Sequence, residues 1–209
     1  IRDSARGDDP QIRNVAEIIQ RTRPDVLLIN EFDYDAGNRA IELFNRNYLA
    51  KSQNGAEPIT YKYHYTGPVN TGVHSGHDLD NNGKVISQAG SRDYGGDAFG
   101  FGLFPGQYGM MLLSNHPIDV KNVRTFQRFK WKDMPGAMLP SQKDQSGWYD
   151  RDELKTLRLS SKSHWDVPVK IGSKVVHVLA SHPTPPAFDG PEDRNGRRNH
   201  DEIRLIADY

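Results

Sequence analysis

No cysteine occurs anywhere in the chain. That removes disulfide staples, thiolate-held zinc and a cysteine nucleophile from the chemistry within its reach, and it is compatible with any compartment. A surplus of either charge is missing too: Lys+Arg and Asp+Glu both number 27, for a formal net charge of +0. Proteins that grip duplex nucleic acid regardless of sequence draw most of that affinity from neutralised phosphates and so carry a basic excess. Its absence argues against bulk duplex as the target, while a local basic patch stays open. There is also no apolar run of about 18 residues, so no membrane-spanning helix is expected. No export signal opens the chain, which starts in the polar stretch 1–7 and ends at Tyr209 inside a helical pattern. Both ends read as cut from something longer.

What is present suits one domain over residues 1–209: 35% hydrophobic and 26% charged residues supply a core and a solvated surface. Asp9 as N-cap and Pro10 as first helical residue open a helix carrying Ile12, Val15, Ala16 and Ile19 at helical spacing. Asp25 to Asn30 then forms a near-continuous apolar run, the pattern of a strand covered on both faces. A second helix is expected from Gly37 to Arg46, and a strand from Tyr61 to Tyr65. From Thr66 to Gly106 the chain is rich in Gly, Asn and Asp, a loop long enough to imply function or a pinning ion. Gly109 to Ser114 is a second buried-strand candidate, Phe129 to Asp152 reads as loop, and Leu154 to Ser161 reads as strand. A hairpin pairs Val167–Ile171 with Lys174–Ala180 across Gly172-Ser173. The tail from about Gly196 to Tyr209 is helical, with Ile203, Ile206 and Ala207 apolar.

Two positions stand out for chemistry. Glu31 directly follows the first apolar strand, where a carboxylate is either a ligand for a hard divalent ion or a solvated acid in a turn. His182 ends the run Val176 to Ser181 and enters the Pro-stiffened segment Pro183-Thr184-Pro185-Pro186. A histidine there is either a rigidly placed acid, base or phosphate donor, or a cap on the strand end.

Asp25-Val26-Leu27-Leu28-Ile29-Asn30-Glu31 resembles the strand and metal-binding glutamate of the endonuclease/exonuclease/phosphatase (deoxyribonuclease I-like) superfamily. Tyr108 to Ile118, a glycine-led apolar strand closed by Ser114-Asn115-His116-Pro117-Ile118, is similar to its second marker, and Ser181-His182 to its catalytic histidine. The stretch from His182 to Arg204 looks like a bacterial, often secreted branch of unassigned substrate, so a secreted or periplasmic location is expected. The markers come in order and span most of the chain.

The resemblance implies an α/β fold: a four-layered sandwich of two packed, mostly antiparallel β-sheets flanked by helices. It implies hydrolysis of a phosphate ester, in a small molecule, lipid or nucleic acid, assisted by Mg²⁺ or Mn²⁺. Carried over, Glu31 is a metal ligand, His182 stabilises or protonates at the phosphate, and Arg158 is a looser match to a phosphate-contacting strand residue, or simply an outward-facing arginine. Relatives also carry an early strand with a metal-holding asparagine, a Gly-Asp-x-Asn segment and a terminal Asp-His pair. None of these is matched here, which implies an incomplete domain with very low activity by itself. The rival expectation is a catalytically silent, calcium-stabilised binding module of the same fold.

Asp78-Leu79-Asp80-Asn81-Asn82-Gly83 places oxygen side chains at alternate positions before a glycine, like the opening half of a calcium loop. Asp78, Asp80 and Asn82 are thus candidate calcium ligands, with Asp93 or Asp97 to complete the shell; a solvated Asn/Asp/Gly turn is the alternative. Arg194, Arg197, Arg198 and His200 sit among Glu192, Asp193, Asp201 and Glu202, so internal pairing is expected of them. Trp131, Trp148 and Trp165 are expected to pack. A monomer is expected.

Overall fold

A computed structural model describes residues 2–209. In chain order the elements are α1 (Arg2–Arg6), α2 (Pro10–Thr22), β1 (Val26–Asn30), α3 (Arg39–Phe44), β2 (Tyr63–Tyr65), α4 (Arg92–Gly96), β3 (Met110–Ser114), β4 (Arg124–Thr125), α5 (Arg151–Thr156), β5 (His164–Ile171), β6 (Lys174–Ser181) and α6 (Arg194–Asp208). Helix α2 begins as its caps dictate: Asp9 accepts a hydrogen bond from the Ile12 N–H at 2.9 Å, and Pro10 takes the first turn. It stops at Arg23, which turns left-handed and returns its N–H to the Ile19 carbonyl.

The strands form two antiparallel sheets, one ordered β1-β3-β2 and the other β4-β5-β6. Period-two alternation divides the faces of β3. Met110 and Leu112 pack with Val69, Trp165, Val167, Val169 and Ala180 between the sheets. Met111 and Leu113 turn the other way, against Ala16, Ile19, Ile41, Phe44 and Tyr48 of the helical layer. On the far side α6 lies over the second sheet: the His164 imidazole meets the Glu202 carbonyl at 2.9 Å, and the Tyr209 hydroxyl donates to Asp166 at 2.7 Å. Helices, sheet, sheet and helix make the four layers that the sequence led one to expect.

Two sequence expectations change. Leu154 to Ser161 is not a strand. Residues 151–156 are helix α5, opened by a capping box in which Asp150 accepts from the Glu153 N–H and Glu153 accepts from the Asp150 N–H. Strand β1 packs on both faces as expected, Leu27 and Ile29 toward the helices and Val26 and Leu28 between the sheets, but as an edge strand it is only half-buried over residues 26–29, whereas the central β3 is buried at every position. The Tyr61–Tyr65 strand shrinks to residues 63–65. The hairpin stands as expected, with Gly172 at φ +60 in the turn, a conformation that costs glycine no Cβ clash. Among the described residues no helix is long and apolar enough to cross a membrane.

Candidate active site

Glu31 and His182 come from different sheets and meet. Each is the first residue past an edge strand, Glu31 after β1 and His182 after β6. His182 Nε2 lies 3.9 Å from Glu31 Oε1. The segment after β1 is held by the loop before β3: the Phe32 N–H donates to the Gly109 carbonyl at 3.1 Å, and the Tyr34 N–H to Gly106 at 2.8 Å. A Cβ on Gly109 would stand 2.7 Å from the Phe32 carbonyl oxygen, so this close approach requires glycine. Glu31 itself is left-handed, at φ 61, a strained choice for a residue with a side chain. Its carboxylate is 65% exposed, and among the described residues neither lysine nor arginine pairs with it. A hard, open oxygen donor of that kind fits a magnesium or manganese ion that keeps most of its waters.

On the other side helix α6 holds the His182 segment. Fully buried Glu202 accepts the Thr184 N–H through one oxygen; through the other it accepts the Ser161 N–H at 2.6 Å and hydroxyl at 3.1 Å. Asn199 adds a hydrogen bond to the Thr184 carbonyl at 2.7 Å. One carboxylate thereby ties the loop after β6 to the segment before β5. Burial pushes the His182 pKa down, Lys162 pushes the same way, and Glu31 and Glu202 oppose them. The ring is therefore neutral at neutral pH. Its Nδ1 is buried with no partner, so the solvent-facing chemistry falls to Nε2.

Arg158 is held by an asparagine and an aromatic ring. It donates to Asn70 Oδ1 at 2.6 Å and lies 4.2 Å above the centre of the Phe99 ring. Among the described residues no hydrogen bond or ion pair joins it to Glu31 or His182. Asp78 and Asp80 do converge, and Asp97 joins them: one carboxylate oxygen from each lies within 4.8 Å of the others. Asp97 is fully buried and accepts the N–H groups of Leu79 and Ile86. Asn82 is a turn residue, its side-chain oxygen accepting the Lys84 N–H at 3.0 Å.

The basic cluster is structural. Arg194 pairs with Glu192, and Arg198 donates to the carbonyls of Leu159 at 2.8 Å and Arg158 at 2.9 Å rather than to acids. Trp131 and Trp165 are fully buried, and Arg194 covers Trp148. Sequence reasoning missed Glu202 and Asn70, whose roles arise from partners far away in the chain. A weak signal was available: an acid and an arginine four apart on one helical face, Glu202 and Arg198.

A family model described as Endonuclease/Exonuclease/phosphatase family matches residues 2–208. The crystal structure of an endonuclease/exonuclease/phosphatase from Beutenbergia cavernae DSM 12333 is similar at 18% identity and a TM-score of 0.45, over 95% of this chain. The chain spans 38% of the length of that one. No curated protein matches.

Proposed function

The chain belongs to the endonuclease/exonuclease/phosphatase family, and we propose on that basis that it hydrolyses a phosphate ester in the cleft between Glu31 and His182. The observation that carries the reading is their approach to 3.9 Å from two different sheets. Glu31 would hold Mg²⁺ or Mn²⁺, and such an ion supplies charge neutralisation at a phosphoryl oxygen. His182, neutral because it is half-buried, offers Nε2 as a hydrogen-bonding group to the phosphate rather than as a resting proton donor. Water attacks in line with the departing ester oxygen, and no covalent enzyme intermediate is needed. We assign Arg158 to the outer part of the substrate, through guanidinium donors that Asn70 does not take.

Zero net charge favours a small or lipid phosphate ester over bulk duplex nucleic acid. The test is turnover of aryl phosphodiesters and phosphomonoesters with Mg²⁺ or Mn²⁺. Glu31→Gln and His182→Ala should each lose about 10²-fold or more; unchanged turnover in both would remove the site assignment.

The loop 78–97 takes a structural calcium ion in this reading. Three carboxylates crowd together there without a lysine or arginine partner among the described residues. Burial, with Asp78 and Asp97 nearby, raises the Asp80 pKa, a like-charge cost that a divalent cation would relieve. An extracytoplasmic setting, where such sites fill at millimolar calcium, accords with it. Chelation should lower the melting temperature, and calcium should restore it. An unmoved transition would retire the ion.

A further inference from the structure

Trp148 differs from the other two tryptophans. Trp131 and Trp165 are 0% and 1% exposed, whereas Trp148 is half-buried and lines a surface cavity of about 330 Å³. The remaining lining comes from Gln142, Lys143 and Asp144 and, just before α6, from Pro191 and Glu192. That volume lies at the small end of ligand pockets, about 300–1,000 Å³, and suits a small molecule rather than a polymer strand.

Two turns with fixed backbones build the cavity. Residues 140–148 double back on themselves: Ser141 pairs antiparallel with Gly147, and the Gln142 N–H donates to the Ser146 carbonyl at 2.8 Å. The Trp148 N–H closes the turn onto the Pro140 carbonyl at 3.1 Å. At its tip one oxygen of Asp144 accepts both the Ser146 N–H at 2.9 Å and the Ser146 hydroxyl at 2.6 Å. Trp148 is also held from the 78–83 turn: its Nε1–H donates to the Leu79 carbonyl at 3.3 Å, and its carbonyl accepts from the Asn81 amide at 3.0 Å. With that N–H engaged, the indole offers only its hydrocarbon ring surface. In the second turn the Asp193 N–H donates to the Gly190 carbonyl at 3.0 Å, and Glu192 pairs with Arg194, whose guanidinium lies 5.2 Å from the indole centre.

The charges around the cavity cancel. Lys143 stands against Asp144, and Glu192 is already paired with Arg194, so an ion of either sign gains no net attraction. Hydrogen-bonding groups of both kinds nevertheless stay open. Among the described residues the Gln142 amide and the Lys143 ammonium have no partner, and the second oxygens of Asp144 and Glu192 accept nothing. A neutral molecule with an apolar face and a rim of hydroxyls fits that inventory. Each hydroxyl donates to a carboxylate or amide oxygen and accepts from an ammonium or amide N–H, while ring C–H groups stack on the indole. We propose that the cavity is a carbohydrate subsite that takes one pyranose ring, stacked on Trp148 and hydrogen-bonded by Gln142, Lys143 and Asp144. The subsite goes beyond the hydrolytic reading and does not rest on it. Eight positions of α6, about 12 Å along its axis, separate Arg194 beside the cavity from Glu202, which holds the segment after His182.

Because Trp131 and Trp165 are buried, acrylamide quenching of the intrinsic fluorescence reads Trp148. The full chain is titrated with the methyl pyranosides of glucose, galactose and mannose, and in parallel with inorganic phosphate and choline as anionic and cationic comparators. At least one pyranoside should shield Trp148 saturably, with a Kd of about 1 mM or tighter, and calorimetry should return the same constant. Gln142→Ala and Lys143→Ala should each weaken it by about 3-fold or more, and Trp148→Ala should abolish the calorimetric signal. Shielding by none of the three sugars would overturn the proposal, as would shielding by phosphate or choline alone. Equal affinity in wild type and in the Gln142→Ala/Lys143→Ala double variant would place the sugar elsewhere and have the same effect. Should Trp148→Ala fail to fold, that double variant decides, since both of its substitutions lie on an exposed turn. Sugar affinity should be unchanged by Glu31→Gln. A loss there would move the ligand into the cleft and remove the subsite, whereas sugar binding in a protein without turnover would leave the subsite standing and count only against the hydrolytic reading.

Discussion

Replacing Glu202 by glutamine changes one atom and one charge at the point where α6 joins the two halves of the candidate site. The native carboxylate is fully buried and serves two backbone N–H groups through different oxygens: Ser161 at 2.6 Å through Oε1, and Thr184 through Oε2. A glutamine has one acceptor oxygen. Whichever way it turns, one N–H faces an NH₂ group and is left buried and unpaired. Losing a hydrogen bond to a charged group costs about 1.5–3 kcal/mol, and stranding a buried donor costs about 1–3 kcal/mol. These overlap, so a net loss of about 3 kcal/mol is expected. For a domain of this size that corresponds to roughly 6–12 °C in melting temperature. The assay is thermal unfolding by circular dichroism at neutral pH, with Glu17→Gln as control. Glu17 pairs with Arg21 on the surface and should change the transition little. A fall under about 1 °C for Glu202→Gln would show that the two segments do not depend on this carboxylate, and the account of how His182 is positioned would fail with it.

Burial, opposed in part by Glu202, holds the His164 pKa below its ordinary value. The unfolded chain therefore takes up a proton near the ordinary histidine value of about 6.5 while the folded protein does not, so stability should fall as pH drops below that point and stay level above it. Urea midpoints at pH 5 and 7.5 measure this, and a His164→Gln variant that keeps the full wild-type slope would refute the assignment. Gly100→Ala forces a methyl group to within 2.0 Å of the Ser161 carbonyl oxygen, so overpacking should cost about 1–3 kcal/mol in urea unfolding. A midpoint equal to wild type would show that the backbone there is not rigid.

Several elements were legible because their determinants are neighbours in the chain. Asp9-Pro10 opens α2, Gly172-Ser173 turns the hairpin, and the apolar run 110–114 can only be a covered strand. Glu31 and His182 were legible for the same reason, as polar residues released at the ends of apolar runs. Helix α5 was misread because Leu157-Arg158-Leu159 alternates like a strand. The deciding signal lay upstream, in the Asp150–Glu153 capping box.

The sequence by itself determined the class of the fold, the family, and the two side chains at the strand mouths. Apolar periodicity and strand-end placement are local properties that any folded arrangement of this chain must respect. Tertiary structure alone decided that β1 is an edge, that Asp97 rather than Asp93 joins the acidic loop, and that Glu202 and Asn70 hold the segment before β5. Those roles rest on contacts such as Ser161–Glu202 and Asn70–Ser160, separated by 41 and 90 residues. Whether a buried charge finds a partner depends on which distant segments packing brings beside it, and no local pattern encodes that.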